Sequence, residues 1–236
     1  MSDVATLPAA AATPGKPEKR YRVSILFTGL ARMWRGTGAA LLVILVNALV
    51  QAALTYVNAQ VGMNAAFIIS LVVSVVVLIG SLAVLVSVAL RAVDGRVGLK
   101  AALAGASSHL PLFALWVVVQ WAVVVLVSLF VGPLGILLAV LTVFLPFAAA
   151  DGHGNAIGAN FSAFKDRWGR WLITTIIMLV IALVLFLLQA VNVFFIKGTP
   201  ASFIGWLVLG ILTWWLLTAW ASLYRSTRVG HLADSA

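Results

Sequence analysis

Asp151-Gly152-His153-Gly154 is the only run in the chain that sets a carboxylate beside an imidazole, the pairing on which metal binding and acid–base catalysis draw. Two such groups do not make a site. Zinc takes three or four protein ligands, and a general base needs a partner that positions it. His109 and His231 are the remaining histidines that could approach from the same side. Asp-Gly is also turn chemistry, ending one helix and opening the next, and Asp94-Gly95 repeats it one unit earlier. Both pairs therefore read as hinges between units. There is no cysteine, and so no thiolate ligand, thiol nucleophile or disulfide. No serine lies in a nucleophile elbow and no glycine loop could cradle a phosphate. The expectation is a non-enzymatic chain with no catalytic residue, metal or cofactor.

Polar side chains inside apolar runs form the second group of candidates. Asn47 and Gln51 stand one turn apart, Gln120 lies in a later run, and Gln189 with Asn192 in another. An amide in hydrocarbon has to find a partner, which makes these residues contacts between helices or, alternatively, the lining of a polar groove. Ser70, Ser74 and Ser81 mark a small-residue face that permits close helix approach. Pro146 should bend its helix or free a carbonyl. Of the nine tryptophans, Trp34, Trp168, Trp171 and Trp220 fall near one boundary and Trp206 near the other, as an aromatic belt requires.

The elements that carry these residues follow from composition. Of 236 residues, 64% are apolar and 9% charged, which belongs to the membrane class. A helix needs about 20 apolar residues to cross a bilayer. Six segments qualify: 39–57, 66–90, 110–131, 133–150, 171–196 and 203–224. No Asp, Glu, Lys or Arg falls inside them, which lowers carboxylate-coupled transport. The links alternate. Residues 58–65, Gly132-Pro133 and 197–200 carry only Lys197, whereas the other fourteen Lys and Arg lie on the opposite side. Short cytoplasmic loops retain Lys and Arg, so an even number of spans places both termini in the cytoplasm.

Three times a basic, amphipathic stretch leads into two spans, giving units of about 21–90, 91–150 and 151–224 after a disordered tail at 1–20 and before a cytoplasmic tail at 225–236. In the first stretch, Val23, Leu26, Phe27, Leu30 and Trp34 share one helical face. In the third, Ile157, Phe161, Phe164 and Trp168 do so. The middle copy, 97–108, is richer in alanine. These stretches either lie in the headgroup plane or pack on the inner loops. Their cations, Arg22, Arg32, Arg35, Arg96, Lys100, Lys165, Arg167 and Arg170, form a collar for anionic headgroups or a partner protein. Each cation near such a surface contributes about 1 kcal/mol. The formal charge of +9 is thereby accounted for without nucleic acid.

From Phe144 the chain reads Phe-Leu-Pro-Phe, then Asp151-Gly152, then Ala156, Ala159, Ser162 and Phe164, then Trp168-Gly169-Arg170-Trp171. This resembles the bacterial six-span family that includes the membrane domain of glycerophosphodiester phosphodiesterases and its stand-alone relatives of unknown function. Asp94-Gly95-Arg96 fits the same pattern one unit earlier, while Asn160 and Phe161 depart from it. The resemblance implies a six-helix membrane domain without the separate hydrolase barrel. The expected fold is therefore all-α and polytopic, with six transmembrane helices. The expected role is an accessory or scaffold subunit of a larger inner-membrane assembly in transport or envelope function. The alternative is a small permease or lipid-handling transporter.

Overall fold

The structure is a computed structural model that describes residues 24–61, 64–95, 98–195 and 198–227. The proposed N-terminal tail, the C-terminal tail from 228 onward, Arg22, Arg96, Lys197 and His231 lie outside the described residues. So do the side chains of Arg167, Gln189 and Asn192.

Among the described residues every element is helical: α1 Ser24–Val61, α2 Ala65–Val93, α3 Leu99–Ser108, α4 Leu110–Phe130, α5 Gly132–Leu141, α6 Leu145–Ala150, α7 Ala156–Phe195 and α8 Thr199–Arg225. Four stretches are long and apolar enough to cross a membrane, Ala31–Tyr56, Ala65–Val93, Leu110–Phe130 and Thr199–Arg225. The protein thus has the architecture of a multi-pass α-helical membrane protein.

Helix ends follow local chemistry. Asn64 caps α2, its Oδ1 accepting from the amides of Ala66 and Phe67 at 2.9 and 3.2 Å. Proline stands in the first turn of α4, α5, α6 and α8, where its missing N–H costs no helical bond. The expected separate amphipathic helix is present only in the middle copy, as α3. In the first and third copies it is continuous with the following span, inside the 38-residue α1 and the 40-residue α7. Pro111 explains the difference. A proline ring blocks the carbonyl four residues back and breaks the chain near His109, and neither junction in α1 or α7 holds a proline.

The segment 133–150 is two helices, interrupted as Pro146 leads one to expect. Residues 142–144 form a turn between α5 and α6. Ten-residue α5 rises about 15 Å, half of the hydrocarbon core.

The packed core is gathered toward the basic ends of the helices. It joins Ala40 and Ile44 of α1, Leu85–Leu90 of α2, Phe113 and Val117 of α4, Phe144 and Phe147 near α6, Ala163 and Trp171 of α7, and Trp214–Tyr224 of α8. Helix α1 runs against both α2 and α8, and two glycines allow it. A Cβ on Gly36 would stand 2.9 Å from Val88 and 3.0 Å from Trp214, and one on Gly210 would collide with Ile44. Small residues let helices approach where hydrocarbon surrounds them.

Candidate functional site

Three helices end at the same place. Arg225, the last residue of α8, is flanked by Asp94, which follows α2, and Asp151, which follows α6. Its Nε and Nη2 donate to Asp94 Oδ1 and Oδ2, both at 3.1 Å. Nη1 and Nη2 donate to Asp151 Oδ2 and Oδ1 at 2.7 and 3.2 Å. One planar guanidinium thus grips two carboxylates through four bonds, a fork geometry that lysine could not supply. The three side chains are only 8–13% exposed. Each residue stands just after the last span of one of the three units read from the sequence, so the cluster ties these three helix ends together.

The backbone aims these groups. Gly95 and Gly152 have φ of +77° and +80°, the left-handed conformation that ends a helix sharply. After α6 the reversal is complete, with Gly152 N donating to Ala149 O at 3.1 Å and His153 N to Ala148 O at 3.0 Å. These turns cap the two helices and place the aspartates at the cluster. Helix C-termini carry partial negative charge, so two carboxylates there need a cation. Burial raises the Asp151 carboxyl above the usual carboxylate range, and Arg225 beside it opposes the rise without overcoming it.

A cavity of about 260 Å³ opens beside the cluster. Arg91, Asp94, Ser108, His109, Asp151 and Arg225 line it. His109 does approach the Asp-Gly turn, because Gly152 leaves room for it: a Cβ there would lie 2.8 Å from the imidazole. Among the described residues, however, no three His, Asp or Glu side chains gather as a metal-ligand set. Asp151 faces Arg225, and His153 Nε2 is buried without a hydrogen-bond partner among the described residues.

The intramembrane amides are placed individually. Gln51 Oε1 accepts from Ser74 Oγ at 2.7 Å and its Nε2 donates to Ser74 O at 3.2 Å, joining α1 to α2. Asn47, also buried, leaves Oδ1 without a partner among the described residues. Gln120 and Asn160 mend the break before Pro146. Proline has no N–H for Thr142 O, and Gln120 Nε2 donates to that oxygen at 3.1 Å and to Thr142 Oγ1 at 2.9 Å. Asn160 Nδ2 donates to Leu141 O at 3.0 Å while its Oδ1 accepts from Phe144 N at 3.0 Å. A broken helix at membrane depth survives only if its freed groups are satisfied internally. Asn160, noted in the sequence only as a departure from a family pattern, is fully buried for this reason.

The collar cations are less organised. Arg35 and Lys165 are exposed with Lys100, and Arg32 and Arg170 are half-buried. In α7 the face turned to the core is Ala156, Asn160, Ala163 and Trp171, which leaves Ile157, Phe161 and Trp168 outward beside Lys165. Phe164 packs edge-on against Trp171 at 4.5 Å between ring centroids.

Sequence reading missed Arg225, although it stands just after the third unit's last span, as Asp94 and Asp151 stand just after the last spans of the first two. That alignment was the available signal. Protein-family models, curated proteins and solved structures give no match to this chain.

Proposed function

We propose that the chain is a non-enzymatic accessory or scaffold subunit of the bacterial cytoplasmic membrane. It is built from six membrane segments with both termini cytoplasmic, as the resemblance to the phosphodiesterase-associated membrane domain implies. The observation that carries this reading is the one-sided construction of the bundle. Its core and its Asp94–Arg225–Asp151 cluster sit at the basic end, while the far halves of α2, α4 and α7 present bulky apolar side chains outward. Such surfaces suit lipid and another membrane protein, with the collar cations facing anionic headgroups. A permease path lined by amides has less support, because Gln51 and Gln120 spend their hydrogen bonds on neighbouring helices.

Two experiments test the proposal. With no native cysteine, Thr199→Cys should label from outside intact cells and Ser226→Cys should not; the reverse pattern overturns the orientation. Gentle extraction and affinity purification should yield a stoichiometric membrane-protein partner, and a homogeneous chain without one overturns the scaffold role.

A further inference from the structure

Of the charged side chains that line the cavity beside the Asp94–Arg225–Asp151 cluster, one has no partner. Asp94 and Asp151 line it, but all four of their carboxylate oxygens accept from Arg225, and Asp94 and Arg225 each have a further interaction. Arg91, in the last turn of α2, lines the same space and makes no hydrogen bond or ion pair among the described residues. An arginine at a helix end is ordinarily solvated and draws only on the helix dipole. Arg91 differs, because it is half-buried and its guanidinium is seated against α3 by Gly105, where a Cβ would stand 2.8 Å from Nη2 and 3.4 Å from Nε. His109 is seated in the same way by Gly152, with its imidazole 2.8 Å from where a Cβ would be. Glycines in α3 and in the turn after α6 thus make room for two nitrogen donors at one cavity. The serines beside them add no proton, since Ser87 Oγ donates to Ala102 O at 3.0 Å and Ser108 Oγ to Gly105 O at 2.9 Å. The cavity therefore offers a planar fork of charged N–H donors and one imidazole N–H, a set that suits the oxygens of a phosphate.

We propose that this cavity binds a phosphate group through Arg91 and His109. Arg91 supplies the charge and a bidentate grip, and His109 donates one further hydrogen bond. At a membrane surface the group is available as a phospholipid headgroup or as free phosphate, and a space of about 260 Å³ admits either. Among the described residues none of the collar cations lines the cavity, so the site is distinct from the general attraction of the collar to headgroups. It rests on the proposed function only in taking these helix ends as the inner face. Binding in detergent is independent of orientation, so the two can fail separately.

The test is native mass spectrometry of the detergent-solubilised full chain with dioctanoyl phosphatidic acid, dioctanoylglycerol and inorganic phosphate. Phosphatidic acid should be retained about tenfold better than the diacylglycerol of the same acyl chains, the value of one charge-assisted hydrogen bond. Arg91→Gln should abolish this advantage, with folding verified by size exclusion. Arg91→Lys, which keeps the charge and loses the fork, should reduce it, as should Gly105→Ala, which displaces the guanidinium from its seat. Replacing Lys100 and Lys165 together by Gln should leave it unchanged, which separates the cavity from the collar. Competition by inorganic phosphate would assign the site to the phosphate group alone, and Arg91-dependent retention without competition would assign it to the phospholipid. Equal retention of phosphatidic acid and diacylglycerol, or an advantage that survives Arg91→Gln, overturns the proposal.

Discussion

The two halves of α2 share a composition and differ in surroundings. From Ile68 to Val76 its side chains are largely exposed, Ile68, Ile69 and Val76 by more than 60%, whereas Ala83 and the run from Leu85 to Leu90 are buried. Hydropathy does not separate them. Size does: the exposed half is crowded with Ile and Val, while the buried half interposes Ala83, Ser87, Ala89 and Ala92. In hydrocarbon there is little apolar gain from helix contact, so close approach and internal hydrogen bonds decide which surface packs. The buried half has both, including Ser87 Oγ donating to Ala102 O at 3.0 Å.

The sharpest way to break this contrast is Arg225→Met, which removes the guanidinium that Asp94 and Asp151 both hold. A loss of about 3–5 kcal/mol is expected in reversible denaturant unfolding. Adding Asp94→Asn and Asp151→Asn should restore much of it, and failure to recover would mean that Arg225 acts by packing alone.

Next in size is Asn160→Leu, expected to cost about 3 kcal/mol, because the Phe144 N–H and Leu141 carbonyl both lose their partner inside the bundle. Hydrogen exchange should show new opening confined to residues near 141–144. Gln120→Leu should do the same more weakly, since Thr142 O also accepts from Leu145 N at 3.0 Å.

The contrast can be sharpened with pH. Burial, set against Arg225 and to a lesser degree Tyr224 and His153, leaves the Asp151 carboxyl raised. A raised carboxyl favours the fold fully below its ordinary value and loses that contribution as pH rises through the shifted one. Stability of the wild type relative to Asp151→Asn should therefore improve as pH falls through this window. A gap independent of pH would show that Asp151 ionises normally.

The smallest effect belongs to the outer half. Leu183 of α7 is 57% exposed, so Leu183→Ala should change the stability of the isolated protein by no more than about 0.5 kcal/mol. If a partner covers α7, the same change should reduce co-purification and leave thermal unfolding unaltered.

Legibility in the sequence followed the range of each interaction. The helical class, the apolar segments and the turns at Asp94-Gly95 and Asp151-Gly152 are local matters of period, hydropathy and backbone sterics, and they were readable. Pro146 announced an interruption, yet the residues that mend it come from 22 and 16 positions away. Gln120 was readable as an amide needing a partner, but Asn160 was not, because nothing local marks it as facing a broken turn. The two long helices were read as separate segments because an amphipathic stretch and a span differ in composition, whereas a helix runs on through such a change where no proline breaks it.

The sequence by itself determined that this is a helical membrane protein with its charges kept to the ends of its apolar runs, since hydrocarbon excludes charge and demands an apolar run of fixed length. Only the tertiary structure decided what those ends do. Asp94, Asp151 and Arg225 are 131 and 74 residues apart in the pairs they form. They meet because three helix ends converge, and an ion pair of that span depends on how helices pack rather than on any neighbouring residue.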